Sequence, residues 1–353
     1  MKQFNTYFKT IALLALSSVL IFSCKKGEEQ IDIPVVRAGL FILNEGGFQS
    51  NNSTLSYYNY DTKTLTNDYF ASQNQRGLGD TGNDVKIYGS KMYIVVSSSN
   101  TVEIVNAKTV KSIKKLSFVN NGTGRQPRYI AFHKNKAFIS SFDGTVAVLD
   151  TATLSVDKYI TVGRNPEQLA VANNKLYVAN SGGLSYPNFD NTVSVIDLNT
   201  LTELKKITLV VNPKEVTVDK YGKVYIKSPG DYDKVLATLV IIDSQTDLVT
   251  SSKAFEGNHM QIDNDIAYFL TKSGIKSYDV KTNTVIKEDI LTGGVTFAYK
   301  YGLNYDAINK ELFVCDAKNF VSNGEVFCFG LDGILKYKLS AGINPNNVIF
   351  INK

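Results

Sequence analysis

Arginines and loop aromatics are the residue types through which this chain could bind another molecule. All arginines but the first lie in polar connecting segments, and the full set is Arg37, Arg76, Arg125, Arg128 and Arg164. A guanidinium offers planar, forked donors that suit carboxylate, phosphate or amide oxygens. Aromatic residues also occur in long polar loops, namely Phe48, Tyr186, Phe189, Tyr232 and Phe320. Loop aromatics beside a few polar groups are typical of a ligand site, and the alternative is chance placement on solvated loops.

The other reactive residue types do not predict catalysis. His133 falls at a hairpin turn and His259 in a connector, so the two histidines do not form a metal cluster. A ligand contact remains open for His259, next to the ordinary alternative of a loop histidine without a role. The sequence contains no calcium loop, phosphate loop, nucleophile elbow or zinc-protease motif. We therefore expect a protein that is not an enzyme and has neither a cofactor nor a resident metal.

The chain contains a repeat of about forty residues, and this repeat must position the arginines and the loop aromatics. Each unit contains short alternating apolar segments, as in KLYVAN (residues 175–180) and NTVSVID (191–197). The third segment usually ends in an aspartate followed by a turn, which predicts turn-forming roles for Asp150, Asp197, Asp243 and Asp279. Four short antiparallel strands per unit are typical of a propeller blade. No stretch keeps a 3.6-residue period, so the pattern excludes a solenoid of helices.

The two ends of the chain look like parts of one blade. Residues 39–70 provide the later strands of a unit but lack the first strand, which in other units often follows a proline. The C-terminal INPNNVIFINK supplies only that first strand. Pairing of the two ends would hide the free sheet edges. The sequence predicts an all-β, seven-bladed β-propeller of four-stranded antiparallel blades, closed by its C-terminal strand.

The turns of such a propeller divide between two rims. We call one of them the loop rim. It receives the connectors between blades and the loops between the second and third strands of each blade. Every long loop and each of the loop aromatics named above falls there, together with all the arginines except Arg37. The opposite hairpin rim receives short turns such as those at Gly89, Asn173 and Asn309, which need only turn chemistry. We expect binding at the loop rim.

The N-terminus reads as a targeting segment. Lys2 and Lys9 precede an apolar run at residues 11–22 that is short for a transmembrane helix. The run ends in Ile-Phe-Ser-Cys, which resembles a bacterial lipobox with Cys24 as the acylated residue; the alternative is a secretory signal with a chance cysteine. This predicts a signal peptide over residues 1–23, an acylated tether over 24–36 and the propeller over 37–353.

The charge and the cysteines bear on nucleic acid binding and on disulfide formation. The formal net charge is +5, with 38 Lys+Arg against 33 Asp+Glu, which does not favour nucleic acid binding. Export would permit a disulfide between Cys315 and Cys328. Alignment with other units places them one position out of register, hence on opposite faces of the sheet. We therefore expect two buried free thiols.

Two family resemblances add to this interpretation. YVAN at residues 177–180 followed by NTVSVID resembles the YVTN-type propeller repeat. The lipobox, the acidic KKGEEQ after it, which resembles an export tag, and the first-blade FILNEGGFQSNNST resemble the cobalamin-capturing surface lipoproteins called BtuG. That likeness implies a lipid-anchored protein of the outer membrane facing the exterior. It also implies capture of cobalamin (vitamin B12), as ligand and not cofactor, and its transfer to a TonB-dependent transporter.

Two other classes of function stay open. An oligosaccharide would fit the loop aromatics nearly as well as a corrinoid, which makes a surface glycan-binding subunit the main alternative. A propeller lactonase or lyase would need a metal or a general base near the axis. The sequence shows one histidine and no evident ring of acidic residues on the loop rim. We therefore rank an enzymatic function below both binding functions.

Overall fold

The chain folds as a ring of seven four-stranded antiparallel sheets. A computed structural model describes residues 35–353, so the predicted signal peptide, Cys24 and most of the predicted tether lie outside the described residues. The seven-bladed, all-β prediction is confirmed. Among the described residues, no helix is both long and apolar enough to cross a membrane.

Blades 2, 3 and 4 each use four consecutive strands, ordered from the channel outwards. In blade 2 these are β4 (Gly82–Tyr88), β5 (Lys91–Val96), β6 (Thr101–Asn106) and β7 (Ser112–Ser117). A small hairpin of β8 (Val119–Asn120) and β9 (Thr123–Gly124) precedes blade 3. Blade 3 contains β10 (Pro127–His133), β11 (Lys136–Ser141), β12 (Thr145–Asp150) and β13 (Val156–Thr161). Blade 4 contains β14 (Pro166–Ala172), β15 (Lys175–Asn180), β16 (Thr192–Asp197) and β17 (Thr202–Thr208).

Blades 5, 6 and 7 repeat this order. Blade 5 contains β18 (Glu215–Val218), β19 (Lys223–Ser228), β20 (Thr238–Asp243) and β21 (Leu248–Ala254). Blade 6 contains β22 (Asn258–Asp263), β23 (Ile266–Leu270), β24 (Ile275–Asp279) and β25 (Thr284–Lys287). Blade 7 contains β26 (Lys300–Asp306), β27 (Glu311–Asp316), β28 (Asn323–Gly330) and β29 (Leu335–Ile343).

Blade 1 is built from both ends of the described chain. Its order is β3-β2-β1-β30, with the C-terminal strand innermost. Leu40 pairs with Phe350 and Ile42 with Val348, so the two ends form one continuous ladder. This confirms closure of the ring by the last strand. The bounds are β1 (Arg37–Asn44), β2 (Thr54–Asn59), β3 (Thr64–Thr66) and β30 (Pro345–Asn352), with a short helix α1 (Tyr69–Asn74) after β3.

The core is divided into seven apolar layers, each between two neighbouring blades. The repeated aromatic position on the second strand fills several of these layers. Tyr93, Tyr177 and Tyr225 are almost fully buried and pack against the following blade. A buried tyrosine hydroxyl needs a partner, and that of Tyr177 donates to Asp247 at 2.5 Å. Burial of each such side chain contributes about 1.5–3 kcal/mol.

The hairpin rim consists of turns, as the sequence predicts. The aspartate at the end of the third strand accepts backbone N–H bonds from the second and third residues after it. Asp197 Oδ1 accepts from Asn199 at 2.7 Å and Thr200 at 2.9 Å, and Asp279 does the same with Lys281 and Thr282. These bonds hold the pKa of both carboxyls below the usual range. The recurring aspartates are turn residues.

The two cysteines of blade 7 correct one detail of the sequence interpretation. Cys315 pairs with Val326 and Cys328 with Phe313, so the cysteines are two positions out of register and lie on the same face. Both belong to the apolar layer between blades 7 and 1. They are buried free thiols, as expected, and burial raises the pKa of each. The error came from aligning a looser repeat unit, because one residue of offset moves a side chain to the other face.

Removing the closing strand should abolish cooperative folding. Truncation after Ala341 deletes β30, exposes the inner edge of β1 and uncovers the layers that contain Val348 and Phe350. The expected loss exceeds about 4 kcal/mol, beyond the range of ordinary substitutions. Urea unfolding followed by circular dichroism measures it. A chain lacking only Lys353 is the control and should unfold like the wild type. Ring closure would be wrong if both chains unfolded at the same urea concentration.

Candidate functional site

The innermost strands of the seven blades surround a central channel with a volume of about 940 Å³. The two ends of the channel differ in polarity because each inner strand runs from the loop rim to the hairpin rim. Towards the hairpin rim the wall is largely apolar, with Ile87, Phe132, Val171, Val218 and Phe350, although Arg37 and Lys86 also line it. At the loop rim the wall is polar, with Asn83, Arg128, Gln168, His259, Tyr301 and Asn346. We call this polar end the channel mouth.

Polar side chains at or beside the mouth link several blades to the next by hydrogen bonds, which we call staples. Asp84 accepts the backbone N–H of Ile130 at 3.0 Å, and Glu215 accepts that of His259 at 2.8 Å. Gln168 does the same for Val216 at 3.1 Å. Burial raises the pKa of Asp84, although Lys86 and the bond from Ile130 oppose this.

Sequence reasoning missed these staples and the carboxylates among them. A signal was present, because a polar residue stands two places after the proline that begins several units. Gln168 follows Pro166 in this way, and Glu215 follows Pro213. Individual acidic residues do lie on the loop rim, but backbone donors of the neighbouring blades already engage Asp84 and Glu215.

Arg128 is the predicted arginine that lines the mouth. Its Nε donates to Glu167 at 3.0 Å, and its guanidinium carbon lies 4.4 Å from the centre of the Phe142 ring. Its side chain is 17% exposed. Burial alone would lower the pKa of Arg128, but the charge and hydrogen bond of Glu167 help to raise it. Neither Nη atom donates to a described residue, so both remain available to the channel.

Glu45 and Tyr301 form a second polar group at the mouth. The Tyr301 hydroxyl donates to Glu45 Oε2 at 2.5 Å. Burial raises the pKa of Glu45, and the bond from Tyr301 and the charge of Arg128 partly oppose it. No Arg128 nitrogen lies within 4.0 Å of a Glu45 oxygen, so the two groups face the same space without an ion pair.

Three of the predicted aromatics come together where blades 4 and 5 meet. Phe189 lies edge-on to Tyr186 at 5.8 Å and to Tyr232 at 5.9 Å between ring centres. Tyr186 is 69% exposed and Tyr232 is 62% exposed. Phe189 therefore joins the long loops of two blades into one surface, the blade 4–5 cluster. Arg164 supports it, since its Nη2 donates to the carbonyl of Asn188 at 3.1 Å.

Phe320 lies in a second aromatic group on blade 7. Its ring centre is 4.5 Å from that of Tyr299 and 5.6 Å from that of Tyr301. Neither tyrosine was expected at the site from sequence, although both belong to a long connector on the loop rim. Because Tyr301 also binds Glu45, this blade 7 cluster is continuous with the polar mouth.

The remaining predicted residues lie apart from these groups. Phe48 is exposed on the loop after β1. Arg76 pairs with buried Glu103 at 2.6 Å, and Arg125 pairs with Asp143 and covers the ring of Tyr159. Neither arginine lines the channel.

The two histidines lie at opposite rims, as expected, with His259 at the mouth. Among the described residues, no group of three or more His, Cys, Asp or Glu side chains could hold a metal ion.

The chain matches a protein-family model over most of its length. The model is described as "Domain of unknown function (DUF5074)" and aligns with residues 38–329. The matched stretch extends from the first blade into the last. A search of curated proteins finds no match.

Solved structures resemble the fold at low sequence identity. A quinonprotein alcohol dehydrogenase-like protein from Bacteroides thetaiotaomicron matches with a TM-score of 0.66 and 17% identity, over 90% of this chain and 79% of that one. Hydrazine synthase from Kuenenia stuttgartiensis gives 0.61 and 16%, over 75% and 93%. The computationally designed Ika8 protein gives 0.56 and 16%, over 86% and 88%. At such identities the likeness shows the propeller fold alone.

Proposed function

The chain belongs to the DUF5074 family, and we propose that it is a capture protein, not an enzyme, whose loop rim binds a large amphipathic ligand. One observation carries the proposal: the polar mouth and two clusters of partly exposed aromatic rings share the loop rim, and Tyr301 belongs both to the blade 7 cluster and to the channel wall. Aromatic walls with a few oriented polar groups are the usual composition of a ligand site. The hairpin rim offers only turns.

Cobalamin or a related corrinoid is the ligand that we favour. Its macrocycle is large and flat, its edge carries amides, and it has one phosphate. The blade 4–5 and blade 7 clusters supply apolar surfaces for such a ring. Arg128 supplies donors for its oxygens, and His259 lies at the same mouth. Arg76 and Arg125 are left out of this proposed site because they do not line the channel and carboxylates engage an Nη atom of each.

We further propose that Cys24 is acylated and that the protein sits on the outer membrane facing the exterior. There it would pass its ligand to a TonB-dependent transporter. These proposals rest on the lipobox-like sequence and on the resemblance to cobalamin-capturing lipoproteins.

A glycan-binding subunit is the second candidate, because exposed rings such as Tyr186 and Tyr232 also suit sugar faces. An enzyme such as a lactonase or lyase ranks below both. It would need a free general base or a metal near the axis. Backbone donors hold Asp84 and Glu215, which leaves Glu45 and His259 as candidate bases at the mouth.

Replacing Tyr186 by alanine should weaken binding of cyanocobalamin about ten- to a hundredfold. Loss of one buried aromatic side chain corresponds to roughly 1.5–3 kcal/mol. The free protein should keep its stability, because the side chain of Tyr186 is mostly exposed before binding. Isothermal titration calorimetry measures the affinity, and thermal unfolding checks the fold.

The matched control is Lys108→Ala, which changes an exposed residue of a hairpin-rim turn. It should bind like the wild type. Weakening by Lys108→Ala and not by Tyr186→Ala would mean that the ligand uses the other rim. If the wild type bound oligosaccharides and no corrinoid, the glycan function would replace the one proposed.

Replacing Cys24 by alanine should release the protein from the membrane without unfolding it, because the propeller begins only at β1. Cell fractionation with detection of the protein in the soluble and membrane fractions measures the change. The fractionation is done in a strain without the partner transporter, so that a bound transporter does not retain the variant. Persistent membrane attachment there would contradict acylation at Cys24.

A further inference from the structure

We propose that Arg128 and Glu45 form a subsite at the channel mouth for a neutral carboxamide group. The inference goes beyond the proposed function, because it concerns one chemical group and holds for any ligand that carries it. A bridging amide would accept a hydrogen bond from Arg128 through its oxygen and donate one to Glu45 through its nitrogen.

The donor side of the subsite is fixed before any ligand arrives. Glu167 holds Nε of Arg128 at 3.0 Å, and the ring of Phe142 supports the guanidinium plane. Both Nη atoms are left without a described acceptor, although only 17% of the side chain is exposed. The other arginines differ, since each donates through at least one Nη atom, as Arg37 does to Asn352 and Asp306 and Arg76 does through Nη2 to Glu103. Arg128 therefore presents oriented, unused donors, which lowers the ordering cost of binding.

The acceptor side is equally defined. Tyr301 donates to Oε2 of Glu45 and fixes the carboxylate. The other oxygen, Oε1, accepts no hydrogen bond from a described residue and is not fully buried. Both Glu45 and Arg128 line the same channel, yet no nitrogen of one comes within 4.0 Å of an oxygen of the other. A group that contacts both side chains must offer an acceptor to Arg128 and a donor to Glu45.

Charge selects the carboxamide among such groups. A carboxylate would satisfy Arg128 but would place its negative charge against Glu45, with Asp84 also on the channel wall. An ammonium would satisfy Glu45 but face Arg128. A neutral amide meets both without repulsion. Glu167 already balances the charge of Arg128, which removes most of its net attraction for an anion.

Acetamide and acetate test the inference, because they have nearly the same shape and differ in charge and in N–H donors. The readout is the side-chain Nε–Hε signals of the ¹⁵N-arginine-labelled protein, with the Arg128 signal assigned from Arg128→Lys. At mildly alkaline pH, acetamide should shift the Arg128 signal at about tenfold lower concentration than acetate. Arg164, an exposed arginine of the same rim, is the internal control and should not follow.

The variant Glu45→Gln should remove the discrimination. Its amide oxygen can still accept from Tyr301, but its charge is gone, so acetamide and acetate should act at concentrations within about twofold of each other. Thermal unfolding of the variant confirms that it is folded.

Three results would overturn the subsite. Acetate could act at an equal or lower concentration than acetamide on the wild type. Acetamide could shift Arg128 no more than Arg164. Finally, a folded Glu45→Gln variant could keep the preference for acetamide. None of these measurements uses a corrinoid or a glycan, so the subsite and the proposed function can fail separately.

Discussion

Closure of the ring is the constraint on which the rest of the molecule depends. Each blade has two apolar faces, and each face is buried only against a neighbouring blade. Blades 1 and 7 are neighbours only because β30 returns to pair with β1. The chain thus bridges its own ends with a ladder of backbone hydrogen bonds, and the inner edge of β1 is paired instead of free. A closed ring of this kind fixes the seven inner strands around one channel.

That rigidity is consistent with the proposed binding at one rim. The hairpin rim is occupied by turns whose side chains bind their own backbone, as Asp197 does. On the loop rim, short staples such as Asp84 to Ile130 hold the mouth in place. The longer loops are then free to vary. Phe189 and Phe320 are examples of residues in such loops. Each contacts two other aromatic rings on the loop rim and does not belong to the apolar core of a blade.

The sequence predicted the fold well because its signals are local and repeated. The alternation around Tyr177 and the turn at Asp197 recur in several units, and the incomplete ends revealed the closing strand. The site was harder to predict because partners come from distant parts of the chain. Glu45 and Tyr301 are 256 positions apart in sequence. Arg76 and Arg128 looked alike in sequence, and only the fold shows that Glu103 engages one while the other faces the channel. The cysteines were misplaced because the last unit departs from the repeat.

Hydrogen–deuterium exchange with and without cyanocobalamin tests most directly whether the loop rim is the binding face. Binding there should slow exchange in residues 181–190, 229–237 and 317–322, the loops that surround the aromatic clusters, and leave the hairpin turns unchanged. Exchange of closed, buried strands should not respond, since the ring is already rigid. Protection of the turns at residues 107–111 and 151–155, with unchanged exchange in the three loops, would contradict the account.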